Sequence, residues 1–370
     1  MARVRTAIIG TGNIAGSHAR ALVGLPEAAE VVAGVDIDER RLDGFCAERG
    51  IPGRYTSVEA MLAAERPELV HVCTPPSLHC EQALACLRAG ASVLVEKPPT
   101  LSLAQLDALA EAQGERGPYL ATVFQHRFGT GARRLRALLD DGVLGRPLLA
   151  VCHTTWFRDQ AYFDVPWRGE WDTEGGGPTM GHGIHQMDLV AAVLGEWTEL
   201  SAIARRQARE MATEDLSMAH VAFANGAVAS VVNSVLSPRE ETYLRFDFEH
   251  ATVELTHLYG YGEDDWRVTP APGREADVMA AWRDGADDVR SGHGAQVADV
   301  LAALRDGTPP PVTTDEARRT MQIVAGVYAS AFGGRPVTPE DLGPGSPFYE
   351  RMDGDGAPWA LAAGAQGGTR

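Results

Sequence analysis

The chain opens with a short apolar segment that runs directly into a glycine-rich turn. Arg5 to Ile9 has the composition of a buried strand, and Ile14 to Val23 has a helical pattern. Between them the sequence reads Gly10-Thr11-Gly12-Asn13-Ile14-Ala15-Gly16. Glycines at this spacing let backbone N–H groups approach a pyrophosphate at the positive end of the helix. The arrangement predicts a dinucleotide site that includes Gly10, Gly12, Asn13 and Ile14.

An acidic residue follows the next predicted strand, Val31 to Val35. Asp36 lies twenty residues after Gly16, where a carboxylate accepts hydrogen bonds from the adenosine ribose hydroxyls. A 2′-phosphate would be repelled there, so the sequence favours NAD over NADP. Arg40 and Arg41 on the following helix would offset part of that repulsion, but a solvated helix face is the simpler interpretation of both.

The pattern of strands and helices changes near residue 125. Up to that point they alternate, which predicts a doubly wound parallel sheet of Rossmann type. The following β-rich pattern predicts an α/β domain whose large sheet is mostly antiparallel, with a type I′ hairpin at Asn225-Gly226. We therefore expect a dinucleotide-binding domain over 1–125, a substrate-binding domain over 126–345 that ends with helices near 294–305 and 314–331, and a loose tail over 346–370.

Bulk properties narrow the class of protein. The chain carries 33 basic and 50 acidic residues, a net charge of −17, and no basic stripe, which argues against a nucleic-acid partner. No apolar run is long enough to span a bilayer, and the N-terminus enters a strand without a signal-like stretch. The five cysteines form no C-x-x-C pair, which suits a reducing compartment. We expect a cytoplasmic protein without a membrane partner.

Several later motifs occur in an order and spacing that resemble one family. They are Thr74-Pro75-Pro76-Ser77-Leu78-His79, Glu96-Lys97-Pro98, Gln125-His126-Arg127-Phe128, Trp167-Arg168, Gly175-Gly176-Gly177 and Gly183-Ile184-His185-Gln186-Met187-Asp188. Together with the glycine turn they resemble the glucose–fructose oxidoreductase / inositol dehydrogenase (Gfo/Idh/MocA) family over nearly the whole chain. The resemblance implies a substrate site at the carboxyl ends of the parallel strands and a homodimer or homotetramer formed through the open sheet face.

The resemblance also implies an activity and the residues that perform it. Hydride transfer between nicotinamide and a secondary alcohol or ketone of a sugar, cyclitol or related polyol needs a group that handles the hydroxyl proton. Lys97 and His185 are the predicted catalytic residues, and Glu96 is expected to orient Lys97 or to meet cofactor amide groups. The predicted cofactor contacts are Thr74, Pro75, His79, Glu96, Lys97, Gln125, Trp167 and Arg168. The predicted substrate contacts are Lys97, Arg127, His153, His182 and His185.

One position departs from the family pattern. The family carries an aspartate four residues before the histidine, where this chain has Gly181 followed by His182. A carboxylate there would favour the imidazolium form of His185. Three explanations stay open: His182 shares the proton work, another group or a water fills the space, or the chemistry differs from simple alcohol oxidation.

Two further features carry alternatives. His182, His185 and Asp188 spell H-x-x-H-x-x-D, but residues 182 and 188 are about 240° apart on a helix, so no metal is expected and Asp188 is assigned a structural role. Trp156 suits packing and sugar stacking equally. The alternative functions are an NAD-assisted elimination or epimerisation through transient oxidation, and a catalytically silent dinucleotide-binding ligand sensor. The identity of the substrate is left open.

Overall fold

The structure, a computed structural model, describes residues 3–284 and 288–360, which form two compact units. The first unit combines the chain up to Thr100 with Ala104–Gln125 and Gly292–Ala317. The second comprises Leu101–Leu103, His126–Ser291 and the chain from Arg318 onward. The sequence predicted one boundary near residue 125, and the return of the chain to the first unit at 292 was not foreseen.

The first unit contains a six-stranded parallel sheet in the order β3-β2-β1-β4-β5-β6, as predicted for a Rossmann fold. Its strands are β1 Val4–Ile9, β2 Ala29–Val35, β3 Gly53–Tyr55, β4 Leu69–Val72, β5 Ser92–Val95 and β6 Leu120–Thr122. The helices in this stretch of the chain are α1 Ala15–Val23, α2 Glu39–Arg49, α3 Val58–Glu65, α4 His79–Arg88 and α5 Leu103–Glu111. Neither β3 nor α3 was predicted from the sequence; β3 has only three residues, and none of them is fully buried.

The second unit contains a seven-stranded sheet in the order β13-β12-β11-β7-β10-β9-β8. Its strands are β7 Pro147–Phe157, β8 Trp197–Arg205, β9 Leu216–Phe223, β10 Val228–Ser234, β11 Leu236–Phe248, β12 Ala251–His257 and β13 Trp266–Pro270. All neighbouring strands are antiparallel except the central pair β7 and β10. The remaining helices of the chain are α6 Thr130–Asp140, α7 Gln160–Phe163, α8 Ile184–Leu194, α9 Glu275–Arg283, α10 His293–Asp306, α11 Thr314–Gly333 and α12 Pro347–Glu350.

Helix α10 explains why the chain returns to the first unit. Its apolar side places Val297, Val300 and Leu301, each at most 1% exposed, in the same core cluster as Ile8 and Leu22. Burial of aliphatic side chains of this size contributes about 1.5–3 kcal/mol each. The Rossmann sheet therefore completes its core with a helix that lies more than 160 residues beyond its last strand.

The hairpin between β9 and β10 forms at the predicted position but with a different turn. Gly226 has a left-handed φ of 87°, whereas Asn225 is not among the residues with positive φ, so the turn is not type I′. The Asn225 side chain instead accepts a hydrogen bond from the Ala227 N–H at 3.0 Å and donates one to the Leu194 carbonyl at 2.9 Å. These bonds hold Asn225 in its observed conformation.

The two faces of the second sheet differ in character. A row of registered neighbours, Ile203, Met218, Val232, His153 and Tyr243, crosses the sheet on one side. Ile203 and Met218 are 47% and 43% exposed, so we call this side the open face. The alternate residues of β7, including Cys152 and Trp156, are buried on the covered face.

Residues 346–360 are not a loose tail. The Trp359 indole N–H donates to the Ala212 carbonyl at 2.8 Å, and Arg351 pairs with Asp172 and Asp353. The predicted loose segment is therefore wrong for these residues, and residues 361–370 lie outside the described part of the chain.

Candidate active site

The glycine turn has the geometry that a pyrophosphate needs. Gly10 has φ 82°, and a Cβ there would lie 2.9 Å from the backbone of Cys73 and Thr74, so a side chain is excluded. A Cβ on Gly12 would meet nothing within 4 Å, which leaves its backbone open to a ligand. No side chain caps α1 at Ile14, and its first turn holds no acidic residue. The positive end of α1 is thus available for an anionic group.

Asp36 is held at the end of β2 by a dense set of donors. Its carboxylate accepts hydrogen bonds from the Thr11 N–H and hydroxyl at 2.8 and 2.7 Å and from the Asp38 N–H at 3.0 Å. Arg41 adds a bidentate pair, Nε at 3.0 Å and Nη2 at 2.7 Å. Burial alone would raise the pKa of Asp36, but these donors outweigh it and hold the pKa far below its usual range. The interpretation of Arg41 as a merely solvated residue was wrong, because its guanidinium chelates Asp36.

Lys97 lies just beyond the end of β5, at the same edge of the parallel sheet as the glycine turn after β1. It is the only lysine in the chain; the other 32 basic residues are arginines. Arginine stays protonated at any working pH, whereas a lysine ammonium can release a proton. A chain that uses arginine everywhere else therefore has its one dissociable side-chain amine at this corner.

Glu96 anchors that corner through a buried network. Its Oε1 lies 2.9 Å from His18 Nε2 and 2.9 Å from His293 Nε2, and its Oε2 accepts the Lys97 backbone N–H at 3.1 Å. Burial would raise the pKa of Glu96, but the bonds to His18 and His293 hold it well below the usual range. This geometry supports the predicted orienting role of Glu96. A contact of Glu96 with cofactor amide groups stays a prediction.

The same three side chains form the one group of three metal-ligand residues found within the described ranges, with ligand atoms within 4.8 Å of one another. His18 Nδ1 also lies 2.8 Å from His71 Nδ1, and burial lowers the pKa of both histidines. His18 is thus hydrogen-bonded to His71 and to Glu96, and His293 is hydrogen-bonded to Glu96, so we assign the group to support of the Lys97 corner.

Two predicted cofactor residues, His79 and Gln125, differ in how their polar atoms are bonded. His79 Nδ1 lies 2.8 Å from the Pro98 carbonyl and its Nε2 lies 2.8 Å from the Thr74 carbonyl. Burial lowers the pKa of His79, while the two carbonyls oppose that shift. Its ring therefore ties the loop after β4 to the Lys97 corner, and its contact with the cofactor stays a prediction. Gln125 Oε1 is buried and has no hydrogen-bond partner among the described residues, which suits an amide donor on a ligand.

His182 and His185 occupy the start of α8, in the second unit. His182 belongs to a π-helical turn, Thr179–Gly183, and its Nε2 lies 3.3 Å from the Tyr162 hydroxyl. The ring of His185 stacks on His126, with centroids 5.0 Å apart. Both histidines are at least 91% buried. Tyr162 was not anticipated, because nothing in the sequence around it connects it with a histidine twenty residues later. Burial raises the pKa of its phenol, although Arg168 opposes the shift.

The Trp167-Arg168 pair lies beside Tyr162. The Arg168 guanidinium lies 4.0 Å from the centre of the Tyr162 ring, donates a hydrogen bond to its hydroxyl, and lies 4.3 Å from the centre of the Trp167 ring. Contacts of Trp167 and Arg168 with the nicotinamide stay predictions.

Asp188 is paired with side chains from other parts of the second unit. It accepts Arg127 Nε at 2.7 Å and Nη2 at 2.6 Å, and the Thr320 hydroxyl at 3.0 Å, while fully buried. A structural role for Asp188 fits this geometry. Because Arg127 commits these two donors to Asp188, its predicted contact with the substrate rests on the rest of its guanidinium.

His153 does not join the histidines of α8. It lies on the open face of the sheet next to Tyr243, with ring centroids 6.2 Å apart. Trp156 lies on the covered face, where its ring meets His182 edge-on at 5.1 Å. The predicted assignment of His153 to the substrate site is therefore corrected: strand alternation turns its side chain away from the face that His182 contacts.

The segment before α8 is fixed by close packing. A Cβ on Gly177 would lie 1.8 Å from the Glu214 carbonyl oxygen, and one on Gly183 would lie 1.8 Å from Asn233 Oδ1. The buried Glu214 carboxylate accepts the Gly177 and Thr179 N–H groups, each at 3.0 Å. Close packing at Gly177 and Gly183 therefore fixes the backbone of the turn that carries His182.

Sequence comparison places the chain in a family that fits this geometry. Residues 4–124 match the oxidoreductase family with an NAD-binding Rossmann fold, GFO/IDH/MocA, and residues 132–255 match the GFO/IDH/MocA C-terminal domain. The chain belongs to the GFO/IDH/MocA oxidoreductase family, whose cofactor is NAD. It is an enzyme of the dehydrogenase and reductase class, in a family that acts on sugars and polyols.

Two curated relatives and one solved structure illustrate the relationship. The chain is 27% identical over 281 residues to D-glucoside 3-dehydrogenase of Escherichia coli strain K12, covering 69% of this chain and 78% of the relative. It is 26% identical over 363 residues to D-apiose dehydrogenase of Paraburkholderia graminis, covering 92% and 91%. The WlbA dehydrogenase of Bordetella pertussis, solved with NADH and UDP-GlcNAcA, has the same fold, with a TM-score of 0.81 at 24% identity over 91% of this chain and 99% of that one.

In the described part of the chain, no helix is both long and apolar enough to cross a membrane.

Proposed function

We propose that this enzyme interconverts a secondary alcohol and a ketone on a sugar, cyclitol or related polyol, with Lys97 and His185 handling the proton. The observation that carries the proposal is the Lys97 corner. The only lysine of the chain follows β5 at the edge that also holds the glycine turn, and a buried carboxylate anchors its backbone. Selective retention of one dissociable amine at this point is what an acid–base role requires.

The cofactor-binding residues of the first unit have separate tasks in this proposal. The turn from Gly10 to Ile14 and the start of α1 hold the pyrophosphate. Asp36 accepts the adenosine ribose hydroxyls. Gln125 Oε1 accepts an amide donor. When bound, NAD supplies or accepts the hydride, and the protein contributes position and proton transfer.

Lys97 and His185 divide the proton work. Lys97 Nζ donates a hydrogen bond to the reacting oxygen of the substrate and so stabilises the charge that develops there. The imidazole of His185 takes the hydroxyl proton in the oxidation direction and returns it in reduction. His182, bonded to Tyr162, contacts neighbouring hydroxyls of the substrate.

The same residues also serve the alternative of transient oxidation followed by elimination or epimerisation. The observation that supports this alternative is the glycine at position 181, where the family carries an aspartate. The two versions differ in whether NADH accumulates in proportion to substrate. A rise in absorbance at 340 nm supports net oxidation, and a new product without that rise supports the transient version.

The proposal is tested with variants of the single lysine. Lys97→Arg keeps the charge but removes the dissociable proton, and we expect kcat to fall by about 10²–10⁴-fold on the best substrate of a polyol and keto-sugar panel. His185→Ala is expected to lose turnover to the same degree. NAD affinity, measured by calorimetry, should stay within about threefold for both, since hydride-side chemistry is removed while pyrophosphate and ribose contacts remain. Arg40→Ala, at an exposed position near the cofactor site, is the control that should keep normal turnover.

The single lysine also allows a direct chemical test. Acetylation of amines modifies Lys97 and the N-terminal amine and removes the dissociable proton of Lys97, so inactivation should follow modification of Lys97. NAD and substrate together should slow the inactivation. Normal turnover of Lys97→Arg, or full activity after complete acetylation of Lys97, contradicts the role of this residue.

We further propose a homodimer or homotetramer formed through the open face of the second sheet. Leu149 and Val228 are registered partners on that face, and they, Ile203 and Met218 are each 37–49% exposed. Exposed apolar side chains grouped on one sheet face are typical of a subunit interface. A cytoplasmic location is proposed on the five free cysteines, four of which are buried.

A further inference from the structure

A buried carboxylate lies against the position where the family aspartate is missing. A Cβ built on Gly181 would lie 3.3 Å from Glu174 Oε1 and 3.9 Å from its Cδ, the nearest atoms of the described residues outside its own helical turn. Glu174 is only 5% exposed. Its carboxylate therefore borders the space that an aspartate side chain at 181 would enter.

We propose that Glu174 is a positioning residue. From the loop before Gly175-Gly176-Gly177 it supplies the carboxylate that acts on His182 and His185. This inference rests on the proposed function of His185. Glu174 and Gly181 are then a compensating pair: the carboxylate has moved from the helical turn to the loop, and the glycine leaves room for it.

The position of Glu174 is built into its loop. Its Oε2 accepts the Gly169 N–H at 2.6 Å, its own N–H donates to the Glu170 carbonyl at 2.9 Å, and Gly175 follows with a left-handed φ of 82°. The turn on the other side is fixed as well, because Gly177 and Gly183 have no room for a side chain. Both partners are thus held by the backbone, which gives the distance between Glu174 and Gly181 little freedom.

A chain of polar contacts continues from Glu174 to His182. Glu174 Oε1 lies 3.8 Å from Arg168 Nη1, Arg168 donates to the Tyr162 hydroxyl, and that hydroxyl lies 3.3 Å from His182 Nε2. Through Arg168 and Tyr162 the charge of Glu174 bears on the same turn from a second direction.

Other titratable groups also face this turn and enter any pH dependence. Within the second unit they include Arg168, Tyr162 and His182 on the Glu174 side, His126 stacked on His185, and the buried pair Tyr328 and Glu214 behind Gly176 and Gly177. Glu174 is the carboxylate among them that borders Gly181, whereas Glu214 accepts the Thr179 N–H at the start of the turn.

The test is a double-mutant cycle with a pH profile. Glu174→Gln keeps the shape of the side chain and removes its charge. We expect kcat/KM to fall about tenfold or more, and the acidic limb of the oxidation profile to move to lower pH by about one unit, because a lost carboxylate favours the neutral imidazole. NAD affinity should remain unchanged. Glu170→Gln, an exposed carboxylate in the same loop, is the matched control and should leave the profile in place.

The second half of the cycle asks whether the carboxylate can be returned. Gly181→Asp alone places two carboxylates in contact and should lower activity. Gly181→Asp combined with Glu174→Gln should recover activity, since the amide donates to the new carboxylate. The proposal is overturned if Glu174→Gln leaves the pH profile unmoved. It is also overturned if Gly181→Asp lowers activity equally in the wild type and in the Glu174→Gln variant.

One measurement separates this inference from the proposed function. The titration midpoint of His185, followed by NMR with His185→Ala to assign its signal, should move to lower pH in Glu174→Gln whether or not any substrate is turned over. A silent substrate panel with a shifted midpoint retains the inference and rejects the proposed function. Turnover with an unshifted midpoint rejects the inference alone.

Discussion

The pairing of Arg41 with Asp36 predicts how the enzyme discriminates between NAD and NADP. Arg41 pairs with Asp36 at 2.7 Å and lies 3.6 Å from the carboxylate of Asp38, so these three side chains carry one net negative charge where the adenosine ribose is expected. Arg41→Ala removes the guanidinium from both carboxylates while the Thr11 and Asp38 donors to Asp36 remain, so the site gains one unit of negative charge. We expect the variant to reject NADP more strongly than the wild type does.

The magnitude follows from Coulomb's law. For unit charges about 5 Å apart, repulsion is about 3 kcal/mol at an effective dielectric constant of 20 and about 1 kcal/mol in water. The Arg41 side chain is 48% exposed, so a value nearer the lower figure applies. The ratio of the Kd for NADPH to the Kd for NADH should therefore rise about fivefold to thirtyfold, since 1.4 kcal/mol is a factor of ten.

Both Kd values are measured by titration calorimetry for the wild type, Arg41→Ala and Arg40→Ala, at low and high salt. Arg40 neighbours Arg41 and is exposed, so Arg40→Ala removes the same charge without freeing Asp36. The effect of Arg41→Ala should shrink at high salt because the pair is partly exposed. An unchanged ratio, or an equal change in Arg40→Ala, refutes the electrostatic reasoning.

Three further predictions concern stability and assembly. Burial lowers the pKa of His257 from 6.5 to about 3, so the contribution of this residue to stability is complete above pH 6.5 and falls as the pH drops toward 3. His257→Phe should therefore reduce, by about 1.4 kcal/mol, the unfolding free energy that is lost between pH 7.5 and 5.5 in urea titrations. An unaltered loss would exclude His257 as its source. Gly183→Ala should greatly lower the melting temperature, because its Cβ would lie 1.8 Å from Asn233 Oδ1. The control Gly44→Ala, in open space on α2, should gain about 0.5–1 kcal/mol of unfolding free energy. Equal effects of the two substitutions would show that the close approach to Asn233 does not limit the turn. Met218→Glu on the open face should shift the mass in light scattering toward the monomer, while Glu59→Gln on α3 should not; an unchanged oligomer would remove this face from the interface.

Most of the first unit was predictable because its buried parallel strands are nearly continuous apolar runs. Such runs mark β1, β2, β4 and β5, and the glycine turn marks the connection from β1 to α1. β3 was missed because its three residues are partly exposed and carry no such run. The membership of α10 in the first unit was also missed, because the apolar stripe of an amphipathic helix does not indicate which sheet the helix packs against.

The site was predictable where a residue is fixed by local sequence and not where it is fixed through space. Lys97 follows directly from the end of β5, and Asp36 from the end of β2. The contact between Glu174 and Gly181 depends on the fold of a loop, and the pairing of Arg41 with Asp36 depends on a rotamer. The absence of an aspartate at 181, together with a glutamate just before the triple glycine, was the available signal for Glu174.

The discontinuous first unit has a consequence for how the enzyme is made. A ribosome that has released the six parallel strands has still to synthesise most of the second unit before α10 emerges, so the nucleotide-binding core stays incomplete until the chain is four-fifths made. The central β7–β10 pair likewise joins strands more than seventy residues apart. A nascent chain cut short before residue 293 would therefore leave exposed the apolar side chains of the first unit that Val297, Val300 and Leu301 normally cover.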